Sequence, residues 1–291
     1  MMNKLRLATI LILMMSFAIH AESCINVEVH GQGKPIMLIP GLMSDGRVWQ
    51  KTAHDLAKNY QVHTISIAGF ANTAPCAAAD NIMPQVKSEL LSYIKTNGLQ
   101  KTILIGHSLG AFLSYSLAID NEALFSAIVA IDGLPYIAPI FTNTSSTTVS
   151  DMQPQANYIR NMYQQATAEQ MANMTKKTIA IQATSVKDQE VIIAMAKASD
   201  QKTVASALHF LLVNDLREPL KKVQTPLLLI AAQGAFQNEQ SRKFATFLYQ
   251  QQIDNVPNAH LITNTNARHF IMWDDAKWLM AETALFLKGV L

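Results

Sequence analysis

A serine flanked by two glycines, placed between a strand-like and a helix-like segment, constrains the fold of this chain more than any other feature. Gly106-His107-Ser108-Leu109-Gly110 directly follows the strand-like residues 102–105, and a helical pattern occupies residues 111–118. Glycines at these positions let a strand turn sharply into a helix while the serine adopts a strained conformation. This context favours Ser108 as an exposed nucleophile, whereas the motif alone also fits a serine that only caps a helix.

The rest of the chain alternates short apolar strand segments with amphipathic helices. Such alternation predicts an α/β fold whose mostly parallel central sheet is flanked by helices. The segments on either side of Gly31-Gln32-Gly33 are predicted to form an opening hairpin. The predicted strands are residues 25–30, 35–39, 62–68, 102–106, 127–132, 226–232 and 260–263, and the predicted helices are 48–59, 82–97, 109–121, 239–251 and 276–287.

The alternation stops between residues 134 and 223, where helical periodicity continues with almost no strand signal. We interpret residues 134–223 as an inserted helical cap, with helices at about 157–165 and 188–197, over a core of residues 22–133 and 224–291. Apolar side chains of the cap either line a substrate pocket above Ser108 or form the interior of the cap itself. They are Tyr136, Ile137, Ile140, Phe141, Met152, Tyr158, Met162 and Tyr163.

With these features the chain resembles the α/β-hydrolase fold superfamily over nearly all of its length, from about residue 24 to residue 291. The family carries an oxyanion-binding turn after an early strand, and Pro40-Gly41-Leu42 stands there, with proline in place of the usual histidine. The resemblance implies that the backbone amides of Leu42 and Leu109 bind the oxyanion. It also implies that His269, after the last predicted strand and before the last helix, is the general base.

The acid of the expected triad departs from the family pattern. An aspartate commonly follows the strand after the cap, but Ala235 occupies about that position. Some relatives, including many haloalkane dehalogenases, take the acid from the end of the preceding strand, where this chain has Asp132. Asp132 is therefore the candidate that orients His269 and stabilises its imidazolium form. Three alternatives stay open: Asp132 as an ordinary strand ending, Glu239 as the acid, and a dyad without an acid.

A serine at the elbow narrows the expected chemistry to acyl transfer, because relatives that attack alkyl halides or epoxides use aspartate there. An imidazole with a pKa of ~6.5 can take the serine proton and return it to the leaving group. We expect a serine hydrolase that cleaves a small, largely apolar ester through an acyl-enzyme, needs no metal or organic cofactor, and is a monomer or weak oligomer. The alternatives are an aminopeptidase-like or carbon–carbon bond hydrolase, and a catalytically silent binding protein.

The first 21 residues have the pattern of a secretory signal peptide. Lys4 and Arg6 precede an apolar run at residues 7–18, and the small residue Ala21 marks the expected cleavage site. The run is shorter than the roughly 20 residues that span a bilayer, so we expect export to the periplasm or the medium without a stable membrane anchor. Lys4 and Arg6 are two of 23 basic residues, so the remainder balances the 21 acidic ones. That neutrality favours small-molecule substrates over nucleic acid.

Both cysteines, Cys24 and Cys76, lie in the part predicted to be exported. An oxidising compartment permits a disulfide between them. Two unpaired thiols remain the alternative.

Overall fold

The computed structural model describes residues 23–290, so the predicted signal peptide lies outside the described part of the chain. At the centre of residues 23–290 is a seven-stranded sheet in the order β1-β3-β2-β4-β5-β6-β7. β1 is antiparallel to β3, and the other neighbouring pairs are parallel, which confirms the predicted α/β fold class. The strands are β1 (Ile25–His30), β2 (Lys34–Ile39), β3 (Tyr60–Ile67), β4 (Thr102–His107), β5 (Phe125–Ile131), β6 (Leu227–Ala232) and β7 (Ala259–Asn264).

Helices cover both faces of this sheet. The strands β2, β4, β5 and β6 are nearly continuous apolar runs, as expected where a parallel sheet is buried on both sides. The helices are α1 (Gln50–Leu56), α2 (Ile82–Thr96), α3 (Leu109–Asn121), α4 (Ala138–Thr142), α5 (Val149–Gln164), α6 (Ala168–Gln182), α7 (Val186–Ala198), α8 (Gln201–Val213), α9 (Arg217–Leu220), α10 (Glu239–Ile253), α11 (Ile271–Asp274) and α12 (Ala276–Val290).

The predicted hairpin of residues 25–30 and 35–39 is wrong. β1 and β2 are not neighbours, because β3 lies between them and pairs with both. Gly31 has a φ of +72°, and a β-carbon there would lie 2.4 Å from the carbonyl oxygens of Ala57 and Tyr60. The turn therefore crosses the beginning of β3, and the sheet position between β1 and β2 is left for β3. Two adjacent strand-like segments could not reveal this, because the strand that separates them comes later in the sequence.

The segment between β5 and β6 contains α4 to α9 and, throughout this fully described stretch, no strand. The helices predicted at about 157–165 and 188–197 correspond to α5 and α7, although α5 begins earlier, at Val149. α6 and α8 were not located from sequence, yet each follows an N-cap side chain, Thr167 and Asp200 respectively. That residues 134–223 act as a cap over the site stays a prediction. No helix in residues 23–290 has the length and apolar character needed to span a bilayer.

A disulfide joins Cys24 to Cys76 and ties the beginning of β1 to the loop that follows β3. The same loop contacts the helical segment: the Ala71 amide donates to Ser199 Oγ at 2.8 Å, and Gly69 O accepts from the Asp200 amide at 2.8 Å. The disulfide therefore restrains a loop on which the junction of α7 and α8 rests.

We expect removal of this disulfide to lower the free energy of unfolding by about 2–4 kcal/mol, because a crosslink across 52 residues restricts the unfolded chain. The measurement is urea denaturation of the wild type with and without reductant. A Cys24→Ser/Cys76→Ser variant is the control and should match the reduced wild type in both conditions. Equal stability of oxidised and reduced wild type would contradict this expectation.

Candidate active site

Ser108 lies at the turn from β4 into α3 and has a strained backbone, with φ 53° and ψ −114°. A β-carbon on Gly110 would lie 2.1 Å from the Ile39 carbonyl oxygen, and one on Gly106 would lie 2.3 Å from the Gly110 carbonyl. Both glycines are therefore required by close backbone approach, as the sequence motif predicted. The Ser108 amide donates to Ile131 O at 2.9 Å, which fixes the turn to the end of β5.

The Pro40-Gly41-Leu42 turn packs against this elbow. A β-carbon on Gly41 would lie only 3.2 Å from Ser108 Cβ. Leu109 is the first residue of α3, so its amide has no acceptor within the helix. Among residues 23–290, neither the Leu42 amide nor the Leu109 amide donates to a backbone carbonyl in a turn, loop or cap. Neither donates to a side chain of these residues. Two amides in the vicinity of Ser108 are thus available to a ligand.

Asp132 and His269 form a short hydrogen bond. His269 Nδ1 lies 2.6 Å from Asp132 Oδ2, and the two side chains are 23% and 9% exposed. Asp132 follows the last residue of β5 with a φ of 46°, and its amide donates to Ile230 O of β6. Its second carboxylate oxygen, Oδ1, accepts from the Ala232 amide at 2.8 Å and from the Tyr249 hydroxyl at 2.7 Å.

His107 packs directly beside His269, with 4.4 Å between their ring centroids. Its Nε2 donates to the backbone carbonyl of His269 at 3.0 Å, which leaves Nδ1 as the unprotonated nitrogen. Complete burial, and then the neighbouring His269, hold the pKa of His107 well below its ordinary value. His107 is therefore a neutral ring that supports the backbone of His269.

The loop that carries His269 is also bound to the end of α6. The amides of His269 and Phe270 donate to the carbonyls of Ile181 and Gln182, at 3.2 and 2.8 Å. These carbonyls lie at the C-terminus of α6, where no later helical amide can satisfy them. The His269 loop thus supplies the missing donors, and the helical segment supports the loop.

Asp274 strengthens the same junction. Its carboxylate accepts from the amide and hydroxyl of Thr184, at 2.8 and 2.9 Å, and from the Arg268 amide at 2.8 Å. The Arg268 side chain in turn donates to Ala183 O at 3.0 Å. Sequence reasoning did not find this junction, because its partners are mostly backbone groups some 90 residues apart.

Glu239, the alternative acid, is exposed on the first turn of α10 and pairs with Lys243 at 2.6 Å. No hydrogen bond of the described residues joins it to His269. Ser108 Oγ likewise makes no hydrogen bond to another described residue. Catalytic hydrogen bonds often tighten only when substrate binds, so this free hydroxyl is compatible with a nucleophile.

The proposed pocket residues fall into three groups. Tyr136 and Met152 are buried in a cluster of their own, whereas Ile140, Phe141, Tyr158 and Met162 are exposed. Tyr163 packs against the large apolar cluster that contains Leu109, and Ile137 packs against both clusters. Leu42, predicted above for its amide, also packs against the large cluster, as do Met43 and Met174, which sequence reasoning did not single out. No signal distinguished Met174 from other helical methionines.

Within residues 23–290, no three histidine, cysteine, aspartate or glutamate side chains are arranged to hold a metal ion.

Residues 36–282 match the model of the alpha/beta hydrolase family. The chain belongs to this family, which confirms the resemblance described from its motifs. The solved structure of an esterase from Exiguobacterium antarcticum superimposes with a TM-score of 0.74 at 15% identity, covering 91% of this chain and 95% of that one. An enol-lactonase from Burkholderia xenovorans LB400 gives 0.68 at 17% identity, covering 91% and 96%. At these identities the likeness shows the fold.

The pimeloyl-(acyl-carrier protein) methyl ester esterase of Aliivibrio fischeri (strain MJ11) is 26% identical over 108 residues. The match covers 37% of this chain and 40% of the relative, so the chain spans about two fifths of that curated protein.

We expect Asp274→Asn to loosen the junction, because Thr184 and Arg268 lose an anionic acceptor. Hydrogen bonds to charged groups are worth about 1.5–3 kcal/mol, so we expect the free energy of unfolding to decrease by about that amount. Hydrogen exchange at the His269 and Phe270 amides, followed by mass spectrometry, should accelerate. Asp254→Asn, which changes an exposed carboxylate at the end of α10, is the control and should alter neither. Unchanged exchange in Asp274→Asn would show that the carboxylate does not hold the loop.

Proposed function

We propose that this protein is a serine hydrolase that cleaves small, largely apolar esters through an acyl-enzyme intermediate. The observation that carries the proposal is the 2.6 Å contact between His269 Nδ1 and Asp132 Oδ2 beside the elbow. With Nδ1 donating to the carboxylate, Nε2 of the neutral ring is left as the proton acceptor. Ser108 is strained and partly exposed, and it follows His107, whose ring packs beside that imidazole. Nucleophilic catalysis pairs such a serine with such a base.

In the proposed reaction, Ser108 Oγ attacks the ester carbonyl while His269 Nε2 removes its proton. Asp132 stabilises the resulting imidazolium, and the amides of Leu42 and Leu109 stabilise the oxyanion. His269 then protonates the leaving alcohol, which departs and leaves the acyl group on Ser108. Water, activated by the same imidazole, attacks the acyl-enzyme and releases the acid. No step requires a metal or an organic cofactor.

Partly buried apolar side chains near the elbow in sequence and in the helical segment support an apolar acyl group. Leu42, Met43, Tyr163 and Met174 pack against the large apolar cluster that also contains Leu109. Such side chains favour hydrocarbon over charged groups, because burying an unpaired charge costs several kcal/mol. The similarity to a methyl ester esterase supports an ester as the scissile group. We propose a monomer or weak oligomer acting on small molecules.

We also propose export to the periplasm or the medium. The signal-like pattern of residues 1–21 is one support for this location. The Cys24–Cys76 disulfide is a second, because such bonds persist in oxidising compartments. Fractionation of cells that express the full chain tests the proposal: the protein should leave the cytoplasm with a shortened N-terminus.

We expect Ser108→Ala to lower kcat for nitrophenyl esters by at least about 10³-fold, because the nucleophile is lost. The variant should also fail to react with a fluorophosphonate probe that labels the wild type. Thermal unfolding checks that it folds. A Ser108→Ala protein that hydrolyses esters at the wild-type rate would exclude Ser108 as the nucleophile.

We expect Asp132→Asn to lower kcat by up to about 10⁴-fold, because the amide cannot hold His269 in the productive tautomer. Glu239→Gln is the matched control and should retain the wild-type rate, since Glu239 is exposed and paired with Lys243. Steady-state kinetics on the same ester compares the two. The reverse ranking would make Glu239 the acid.

The two alternatives lead to different results. An aminopeptidase-like or carbon–carbon bond hydrolase would turn over peptides or diketones well and nitrophenyl esters poorly. A silent binding protein would leave the probe unreacted at Ser108 although the fold is intact.

A further inference from the structure

We propose that Tyr249 is a positioning residue of this site, whose hydroxyl holds the Asp132 carboxylate in the orientation from which it pairs with His269. The inference rests on the proposed function, because it assigns Tyr249 a role through the acid and the base of that reaction.

The geometry divides the Asp132 carboxylate between two tasks. Oδ2 faces His269 Nδ1 at 2.6 Å, while Oδ1 accepts from the Tyr249 hydroxyl at 2.7 Å and from the Ala232 amide at 2.8 Å. Two donors on one oxygen fix the plane of the carboxylate, so the other oxygen is directed at the imidazole. The Ala232 amide alone would leave the carboxylate freer to turn about its own bond.

Tyr249 comes from a part of the chain that otherwise contributes nothing to the triad. It lies on α10, the helix that follows β6 and Ala235, where the usual acid of the family is absent. The segment that lacks a carboxylate therefore supplies a donor to the carboxylate at the end of β5. Through Tyr249, α10 becomes the fourth element, with β5, β6 and the His269 loop, that determines the geometry of the pair.

The Tyr249 hydroxyl remains a proton donor throughout the working pH range. Burial, and then the charge of Asp132, hold the pKa of Tyr249 well above its ordinary value. The other titratable group that acts on Tyr249 is Tyr115 of α3, whose hydroxyl donates to Gly133 O at 2.9 Å and whose pKa is also raised by burial. Tyr249 thus serves the carboxylate only as a neutral donor, so proton transfer by Tyr249 is no part of the proposal.

The test is Tyr249→Phe, which removes one oxygen atom and keeps the ring. Loss of a donor to a charged group should lower kcat for a nitrophenyl ester by about tenfold and leave KM within about twofold. The acidic limb of the kcat/KM profile should move to higher pH, because a carboxylate with one donor fewer stabilises the imidazolium form of the pair more strongly. A merely structural role would not move this limb. Rates are expressed per folded site, counted by fluorophosphonate titration.

Tyr93→Phe is the matched control, since Tyr93 is also partly buried and its hydroxyl bonds a side chain, His63 Nδ1 at 2.9 Å, away from the elbow. It should keep the wild-type kcat and pH profile. In an Asp132→Asn background, Tyr249→Phe should cause no further loss, because the carboxylate on which it acts is gone. These results together would support the proposal.

Wild-type kcat and pH profile in Tyr249→Phe, alongside an inactive Ser108→Ala, would overturn the role of Tyr249 and leave the proposed function standing. A full tenfold loss in the Asp132→Asn background would also overturn it, because Tyr249 would then act by another route. Wild-type activity in Ser108→Ala would remove the proposed function, and this inference with it.

Discussion

The short contact between the Asp132 carboxylate and the His269 imidazole is the interaction on which this site depends. A carboxylate that is only 9% exposed is costly to bury unless donors surround it. Asp132 has three, from His269, Ala232 and Tyr249. Because these donors belong to the loop after β7, to β6 and to α10, satisfying one buried charge also draws three elements together at the end of β5.

An uncharged histidine ring, His107, lies beside this pair. His107 is completely buried, its Nε2 donates to the carbonyl of His269, and its pKa is depressed by burial. A positive charge at this position would repel an imidazolium at His269, whereas a neutral ring does not. The residue before Ser108 therefore supports the backbone of His269, and the elbow and the His269 loop are built as one unit.

Sequence reasoning located what short-range patterns encode. The α/β class followed from alternating periodicities, and the elbow followed from two glycines that close backbone contacts require. Long-range contacts were harder to predict. The position of β3 between β1 and β2 depends on a strand that comes later, and Tyr249 looks like any aromatic residue on an amphipathic helix. The supports of His269 from Ile181 and Gln182 are backbone carbonyls, which carry no side-chain signature. Sequence reasoning reached Asp132 only because Ala235 occupies the position where the family usually has its acid.

The junction between α6 and the His269 loop has a consequence for how the inserted helices can diversify. The terminal carbonyls of α6 accept from amides of the loop that carries the imidazole. The position of one backbone segment therefore fixes the position of the other. An insert transplanted from another family member must therefore reproduce the backbone of residues 181–184, whatever its sequence elsewhere. Exposed positions such as Phe141 and Tyr158 do not have to match this backbone. The exposed surface of the inserted helices can thus diverge during evolution while His269 keeps its place.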